Sequence, residues 1–211
     1  MPLCRGTRII GSNEARVFRQ IINQLRGICL LAGFEEIILP SIYNPSIWTD
    51  RTGQEIEQQM WLFPDKSDRP TCLIPEATAI IQELYDNSWS KNRPKPICLF
   101  YETRCYRYER PQAGRYREFT QFGVEMLGPN PDQYEGLVKE LLFKCLGDRM
   151  LPVEFDWEIK RGLSYYTRNG FEARVPSLGA QQQIAGGGVY EQGCGFAIGI
   201  DRLVLAIRGE K

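Results

Sequence analysis

Arginine and glutamate residues alternate with aromatic residues along one stretch of the chain, Leu99 to Gly128. Its centre contains a proline and a glycine, which mark a loop, and the arginines Arg107, Arg110, Arg115 and Arg117. A guanidinium group is planar and can bind two phosphate oxygens at once. The cluster therefore indicates either a phosphate-binding loop or a solvated hairpin whose glutamates neutralise the arginines.

A set of polar side chains follows on the strand predicted over 118–127. Alternation with period two places Phe119, Gln121, Gly123 and Glu125 on one face, and a nearly all-apolar set, expected in the core, on the other. Gln121 and Glu125 flank the glycine, which leaves space where a small polar guest could lie on the strand. The alternative is a solvated sheet face with a β-bulge at the glycine.

Candidate ligand contacts also lie at the starts of predicted helices. Glu76 and Thr78 start a helix after Pro75, where they either contact a ligand or cap the helix. Arg202 begins another helix, and because a cation opposes the helix dipole there, a bound anion would explain it. A compact cluster of arginine and tyrosine occupies 161–166, RGLSYY.

The elements that must position these side chains are strands with interspersed helices. Apolar residues at helical spacing predict a helix from Glu14, capped by Ser12 or Asn13, that ends at Gly33. Its broad apolar stripe serves either the core or a dimer face. The other predictions that matter for the site are a strand over 34–39, a mobile polar loop over 51–57, and a hairpin of strands 97–108 and 118–127. This pattern is typical of a mixed α/β domain with a largely antiparallel sheet.

The composition excludes several kinds of chemistry. The 211 residues suffice for one domain, and a formal net charge of +0 requires any nucleic-acid contact to come from a local patch. The absence of histidine excludes Ser–His–Asp and Cys–His catalysis and removes the commonest metal ligand. Seven cysteines without CxxC spacing, and no visible secretory signal, argue against a disulfide framework and a zinc site. No apolar run reaches the roughly 18 residues of a membrane span, so a cytoplasmic location is expected.

Several stretches together resemble the catalytic core of class II aminoacyl-tRNA synthetases in its histidyl form. The hairpin at 99–128 resembles motif 2, the segment 14–40 resembles the dimerising motif 1, and GFAIGIDRLVLAI at 195–207 resembles motif 3. RGLSYY at 161–166 and GGGVY at 186–190 resemble the two histidine-binding signatures of that family. The resemblance implies an α+β fold with a largely antiparallel central sheet flanked by helices.

At the ATP end, the resemblance assigns Arg107 to the α-phosphate and to the amino-acid carboxylate. Glu109 and Arg115 would contact the adenine end and the β- and γ-phosphates. Phe119 and Arg202 would hold adenine between them, and Mg²⁺ would bridge the phosphates without a direct protein cluster. The catalytic residues implied in this way are Arg107, Arg161 and Arg202.

At the amino-acid end, Glu76, Thr78 and Gln121 would bind the amino group. Glu125 and Tyr166 would hydrogen-bond an imidazole side chain. Arg161 would stabilise charge on the α-phosphate while the substrate carboxylate attacks, so that no general base is needed. The complete amino-acid site implied is Glu76, Thr78, Arg107, Gln121, Glu125, Arg161, Tyr165 and Tyr166.

The chain also departs from the family pattern. Ser164, Val189 and Thr120 stand where aspartate, arginine and histidine are usual. The short segment 129–160 replaces a long insertion, and the chain ends after motif 3, where the family continues with an anticodon-binding domain. We therefore expect tRNA selection at the acceptor end alone, or through another chain.

Three functional hypotheses follow. The first is a single catalytic-core domain over 1–211 that activates histidine with ATP and Mg²⁺, transfers it to tRNA and acts as a homodimer. The second is a non-catalytic paralogue that senses histidine or regulates a partner. The third is an amino-acid-activating enzyme with a non-tRNA acceptor. The set Arg107, Arg115, Arg161 and Arg202 favours an enzyme, because a regulatory relative does not need all of them together.

Overall fold

The computed structural model describes residues 2–49, 51–147, 151–160 and 162–209. Its strands, in chain order, are β1 (Glu35–Glu36), β2 (Ile42–Tyr43), β3 (Leu62–Pro64), β4 (Pro70–Leu73), β5 (Ile97–Tyr106), β6 (Glu118–Leu127), β7 (Glu154–Ile159), β8 (Gly170–Arg174), β9 (Gln183–Tyr190) and β10 (Gly193–Gly199). Its α-helices are α1 (Ser12–Leu31), α2 (Ser46–Thr49), α3 (Gln54–Gln59), α4 (Thr78–Leu84), α5 (Ser90–Asn92), α6 (Glu135–Leu146) and α7 (Ile200–Arg208).

The described strands form a large sheet of seven strands in the order β1-β5-β6-β10-β9-β8-β7, and a small sheet in the order β2-β4-β3. Within the large sheet only β1 and β5 run parallel, and the other neighbours are antiparallel. The predicted fold class, an α+β domain with a largely antiparallel central sheet flanked by helices, is confirmed.

The two faces of the large sheet pack against different elements. On one face Phe122 and Val124 of β6 pack with Phe18 and Ile22 of α1 and Leu203 of α7. On the other face, Leu99, Tyr101 and Leu127 belong to a second cluster that includes Trp48 and Ile81. The predicted parity of β6 is therefore confirmed, because its apolar set faces the helices and Gln121 faces the opposite side.

Several local predictions were wrong. The polar segment 51–57 is not a loop throughout, since α3 begins at Gln54 and its Ile56 is buried. Helix α1 begins at Ser12 after an extended Gly11, with no side-chain cap. The strand predicted over 34–39 is reduced to two residues, because only that short stretch pairs with β5.

The apolar stripe of α1 packs inside the chain. Phe18, Ile21, Ile22 and Leu25 are buried in the core. Of the two readings of this stripe, the core reading therefore applies to these residues. Any dimer contact would have to use other apolar side chains. None of the described helices is long and apolar enough to cross a membrane.

Candidate active site

The sequence-predicted site residues converge on one cleft of about 410 Å³. It opens between β6, the loop that follows β5, the strands β9 and β10, and the start of α7. The predicted residues that line it are Glu76, Thr78, Arg107, Glu109, Arg115, Phe119, Gln121, Tyr165, Tyr166 and Arg202. Glu125 does not line it, and Arg161 lies outside the described residues. The long-range topology thus brings together side chains from distant parts of the chain.

Arg107 stands just beyond the end of β5 and faces the cleft. Its Nε donates to the carbonyl oxygen of Pro75 at 2.9 Å, and its guanidinium carbon lies 5.4 Å from the centre of the Phe119 ring. Among the described residues no carboxylate forms an ion pair with it, so it can offer its Nη groups to an anion in the cleft.

Arg202 lies in the first turn of α7, as predicted, but its surroundings explain it without a bound anion. It donates from Nε to the carbonyl oxygen of Gly114 at 2.7 Å, from Nη1 to that of Gln183 at 2.8 Å, and from Nη2 to Oε1 of Gln181 at 2.9 Å. These carbonyl oxygens offset the unfavourable helix dipole. The edges of the guanidinium are engaged, whereas stacking on a flat ligand uses its face.

Positive charge accumulates around Arg202. Burial lowers the pKa of its guanidinium, and the charges of Arg107 and Arg115 lower it further. Each additional cation in a confined cleft raises the free-energy cost of keeping the other groups positively charged, unless an anion enters. The part of the cleft that holds these three arginines is therefore suited to an anion, whereas the carboxylates of the lining are Glu55, Glu76, Glu109, Glu172 and Asp201.

Glu109 and Arg115, predicted to contact opposite ends of ATP, form an ion pair with each other. The turn between them passes through Gly114, whose φ of +70° lies in the left-handed region that glycine adopts without strain. The loop thus closes on itself and on Arg202. Arg115 would have to exchange this carboxylate for a phosphate in order to bind a nucleotide.

Glu76 is both a helix cap and a wall of the cleft. Its carboxylate accepts the backbone N–H of Thr78 at 2.9 Å and of Ala79 at 3.1 Å, and the indole N–H of Trp48 at 2.8 Å. Burial raises its pKa, although these donors and the charge of Arg107 oppose the shift. Glu76 therefore caps the helix and also lines the cleft, where it can contact a ligand, so both interpretations from the sequence apply to it.

Glu125 lies behind the cleft wall, enclosed by hydroxyl groups. Its Oε1 accepts from Thr78 Oγ1 at 2.8 Å and from the Tyr101 hydroxyl at 3.1 Å, and its Oε2 accepts from the Tyr190 hydroxyl at 2.7 Å. Burial raises the pKa of Glu125 to about 7, and the hydroxyl donors limit the shift. Thr78 links the two buried carboxylates, since its backbone N–H donates to Glu76.

The space above Gly123 is not free for a guest, contrary to the prediction. A Cβ atom at Gly123 would lie 2.1 Å from Cζ of Tyr101, so the tyrosine ring occupies the space that the glycine provides. The strand also has no bulge there, because Gly123 pairs in register with Tyr101 and Ala197. The glycine serves the buried tyrosine that holds Glu125.

Two tyrosines complete the wall near the glycine-rich strand β9. Tyr165 and Tyr166 lie with ring centres 4.6 Å apart, and the Tyr165 hydroxyl donates to Glu76 at 3.4 Å. A Cβ atom at Gly188 would lie 2.8 Å from the Tyr166 ring. The glycine run therefore allows a close ring-to-backbone approach, as its composition indicated.

A model of the histidyl-tRNA synthetase family matches residues 6–148, well over half of the 211 residues. This chain belongs to the histidyl-tRNA synthetase family. The match covers α1 and the central hairpin, and the hairpin with its loop supplies much of the cleft lining. The resemblance to the histidyl form of the class II aminoacyl-tRNA synthetase core, expected from the motifs, is thereby confirmed.

Individual members of the family extend the comparison. A histidine–tRNA ligase of Methanocorpusculum labreanum is 27% identical over 305 residues, covering 96% of this chain and 74% of the relative. Because this chain has only 211 residues, the relative carries residues within the matched span that have no counterpart here. The apo histidyl-tRNA synthetase of S. aureus superposes with a TM-score of 0.79 at 25% identity, over 100% of this chain and 72% of that chain.

A second solved structure has the same fold under a different description. It is an ATP phosphoribosyltransferase regulatory subunit/histidyl-tRNA synthetase from Bacillus halodurans C, with a TM-score of 0.81 at 18% identity, over 96% of this chain and 82% of that chain. Membership of the family therefore does not by itself decide between catalysis and regulation.

The three departures from the family pattern have different surroundings. Ser164 donates to the carbonyl oxygen of Arg51 at 2.8 Å, so it ties two loops together. Thr120 donates its backbone N–H to Asp201 at 2.7 Å. Val189 is buried in the core. None of the three contributes a charged side chain to the cleft.

Sequence reasoning missed several residues of the site. Trp48 holds Glu76, Tyr101 and Tyr190 hold Glu125, and Glu172 and Asp201 line the cleft. Tyr190 belongs to the GGGVY stretch, so its signal was present but its role was not assigned. Tyr101 shares the parity of the site face of β5, whereas nothing local marked Trp48.

Proposed function

We propose that this chain activates histidine with ATP to form histidyl-adenylate and passes the histidyl group to tRNA. The observation that carries the proposal is the convergence, in one cleft, of Arg107, Arg115 and Arg202 with the buried acceptor Glu76. Arg107 and Arg115 suit the phosphates of a nucleotide, the face of the Arg202 guanidinium suits a flat base, and the carboxylate suits a substrate ammonium group. We further propose that residues 1–211 act as one catalytic-core domain.

The reaction needs no protein base. The carboxylate oxygen of the amino acid forms a bond to the α-phosphorus of ATP while the bond from that phosphorus to the bridging oxygen breaks. Pyrophosphate leaves with the bonding electron pair. Arg107 would hold the carboxylate and the α-phosphate together, so that catalysis consists of positioning and charge stabilisation. A chain without histidine can therefore perform it.

The ATP would occupy the half of the cleft nearest α7. Its adenine would stack between the Phe119 ring and the face of the Arg202 guanidinium, whose edges are fixed by carbonyl oxygens. Its β- and γ-phosphates would take Arg115 from Glu109, and the freed Glu109 would contact the adenine end. Arg161 would add a further positive charge at the α-phosphate, as the family resemblance implies.

Mg²⁺ would enter with the nucleotide. Among the described residues no group of three or more His, Cys, Asp or Glu side chains could hold a metal ion. The phosphate oxygens are hard ligands of the kind that Mg²⁺ prefers. The bound ion would neutralise charge between the phosphates, and this chain's arginines would neutralise the rest.

The amino acid would occupy the half nearest α4. Glu76, Thr78 and Gln121 would bind its ammonium group, and Glu125 and Tyr166 would bind the imidazole ring. Glu125 would reach the ring if one of its hydroxyl partners, Tyr101 or Tyr190, turned aside. A site of this kind rejects side chains that leave its buried polar groups unpaired.

A regulatory, histidine-sensing role is the second candidate. Arg115 and Glu125 both have partners without substrates, in the ion pair with Glu109 and in the hydrogen bond from Tyr190. The solved neighbour described as a regulatory subunit shares the fold. In this case histidine would bind without any exchange of phosphate. Activation for a non-tRNA acceptor is the third candidate.

Pyrophosphate exchange into ATP, measured with each of the twenty amino acids, tests the proposal. We expect exchange that depends on histidine. No exchange with any amino acid, together with measurable histidine binding, would support the regulatory role. Exchange with another amino acid would overturn only the choice of histidine. Charging of an RNA minihelix without an anticodon would then test whether tRNA is the acceptor.

A further inference from the structure

Arg8, which lies outside all the motif-like stretches, connects three parts of the structure. Its Nη2 donates to Oδ1 of Asp201 at 2.8 Å, and its Nη1 pairs with Glu14 in the first turn of α1. Its guanidinium carbon lies 4.6 Å from the centre of the Tyr116 ring. One side chain therefore contacts α7, α1 and the loop between β5 and β6.

The Asp201 carboxylate links Arg8 to the residues that line the cleft. It is 4% exposed, and its second oxygen, Oδ2, accepts the backbone N–H of Thr120 at 2.7 Å. Thr120 lies between Phe119 and Gln121 on β6, while Asp201 directly precedes Arg202 on α7. The carboxylate thus joins the backbone that carries Phe119 to the helix turn that carries Arg202.

Arg8 holds that carboxylate by a charge-assisted hydrogen bond, which is among the stronger single contacts in a protein. Without Arg8 the buried Asp201 charge would lose its cationic partner, and unpaired buried charges force rearrangement. Arg8 also packs on Tyr116, which follows Arg115 directly and lines the cleft. Both effects reach the nucleotide half of the cleft, through Phe119, Arg202 and Tyr116. Neither involves Glu76 or Thr78, and of the proposed amino-acid contacts only Gln121 adjoins Thr120.

We propose that Arg8 is a positioning residue for the nucleotide, acting through Asp201 and Tyr116 to fix Phe119 relative to Arg202. It does not contact ATP. This inference rests on the proposed function, because it assigns adenine to the space between Phe119 and Arg202. It adds a residue that no motif contains, and it links the start of α1 to the ATP site.

The test compares Arg8→Gln and Arg8→Lys with a matched control, Arg19→Gln. Arg19 lies on α1 and pairs with Glu102 at 2.8 Å, but its side chain is 62% exposed and neither residue lines the cleft. The dissociation constant for ATP is measured by calorimetry, and KM values for ATP and histidine by pyrophosphate exchange. We expect Arg8→Gln to weaken ATP binding about tenfold and to change the histidine KM less than about twofold.

The conservative variant and a second substitution separate positioning from simple stabilisation. Arg8→Lys should recover part of the ATP affinity, because lysine keeps the charge near Asp201 but loses the planar fork. Glu14→Gln removes the α1 partner of Arg8 and should lower the Tm while leaving ATP affinity within about twofold. If Arg8→Gln does not fold, Asp201→Asn carries the same ATP-selective prediction, since it removes the charge that Arg8 holds.

Three results would overturn the inference. They are unchanged ATP affinity in Arg8→Gln, an equal loss for ATP and histidine, or a full ATP defect in Glu14→Gln. If the wild-type protein binds no ATP, the proposed function fails together with this inference. If the wild type binds ATP and Arg8→Gln binds it equally well, only the role of Arg8 is overturned.

Discussion

Replacing Glu125 by glutamine should stabilise the protein above neutral pH while impairing histidine recognition. Burial raises the pKa of this carboxyl from 4.5 to about 7, so the folded state holds its proton more tightly than the unfolded state does. The stability that this group contributes is complete below pH 4.5 and is lost as the pH rises through about 7. A shift of this size corresponds to about 3 kcal/mol, because each unit is worth about 1.4 kcal/mol.

Glutamine has the same shape but no charge, so it removes this loss. The free energy of unfolding of Glu125→Gln minus that of the wild type should therefore increase by about 2 to 3 kcal/mol between pH 5 and pH 8. Taking this difference cancels the contributions of groups that do not interact with Glu125, whereas the charge of Glu76, which helps to raise the Glu125 pKa, remains part of it. The Thr78, Tyr101 and Tyr190 hydroxyls can turn to accept from the new amide.

Urea denaturation at a series of pH values measures this difference. The matched control is Glu118→Gln on the same strand, where the carboxylate is partly exposed and pairs with Arg104. It should change stability by less than about 1 kcal/mol. In pyrophosphate exchange, Glu125→Gln should show at least about a tenfold lower kcat/KM for histidine. A pH-independent difference, or a variant less stable than wild type at pH 8, would refute the reasoning.

Three further predictions concern the cleft and the surface. Gly123→Ala should destabilise the fold by about 1–3 kcal/mol in urea denaturation, because its Cβ would lie 2.1 Å from the Tyr101 ring; unchanged stability would show that the ring can move freely. Arg107→Lys should lower kcat/KM in pyrophosphate exchange at least about tenfold, since lysine lacks the fork that can bind carboxylate and phosphate together; wild-type rates would remove Arg107 from the proposed chemistry. Sedimentation at micromolar concentration should show that the wild type is a dimer. Leu31→Asp or Ile38→Asp should dissociate it, because these apolar side chains are 92% and 90% exposed. A monomeric wild type would contradict this prediction.

Periodicity and turn residues were sufficient to predict the hairpin that carries the site. Strand β6 begins at Glu118 and ends at Leu127, as its alternation predicts, because one of its faces must be apolar to pack on the helices. The motif resemblance then placed Arg107, Phe119 and Gln121 in one site, and they line one cleft. The alternation along β6 and the resemblance to motif 2 agree here because both reflect the same buried sheet.

What the sequence did not reveal depends on contacts between distant residues. Trp48 donates to Glu76 across 28 positions of sequence, and Tyr101 fills the space at Gly123 from the neighbouring strand. The pattern at Gly123 showed that space exists but not which side chain fills it. Likewise, Arg202 donates to the carbonyl oxygens of Gly114 in the β5–β6 loop and of Gln183 at the start of β9, whereas its position at a helix start suggested only an anion.

Direct detection of the adenylate tests the central proposal most sharply. ATP labelled at the α-phosphate is mixed with excess enzyme, Mg²⁺ and histidine, and the labelled products are separated by thin-layer chromatography after a single turnover. We expect labelled histidyl-adenylate, with pyrophosphate released in equal amount, for the wild type and little or none for Arg107→Ala. Failure to form any aminoacyl-adenylate with any of the twenty amino acids, in a preparation that binds ATP and is folded, would contradict it.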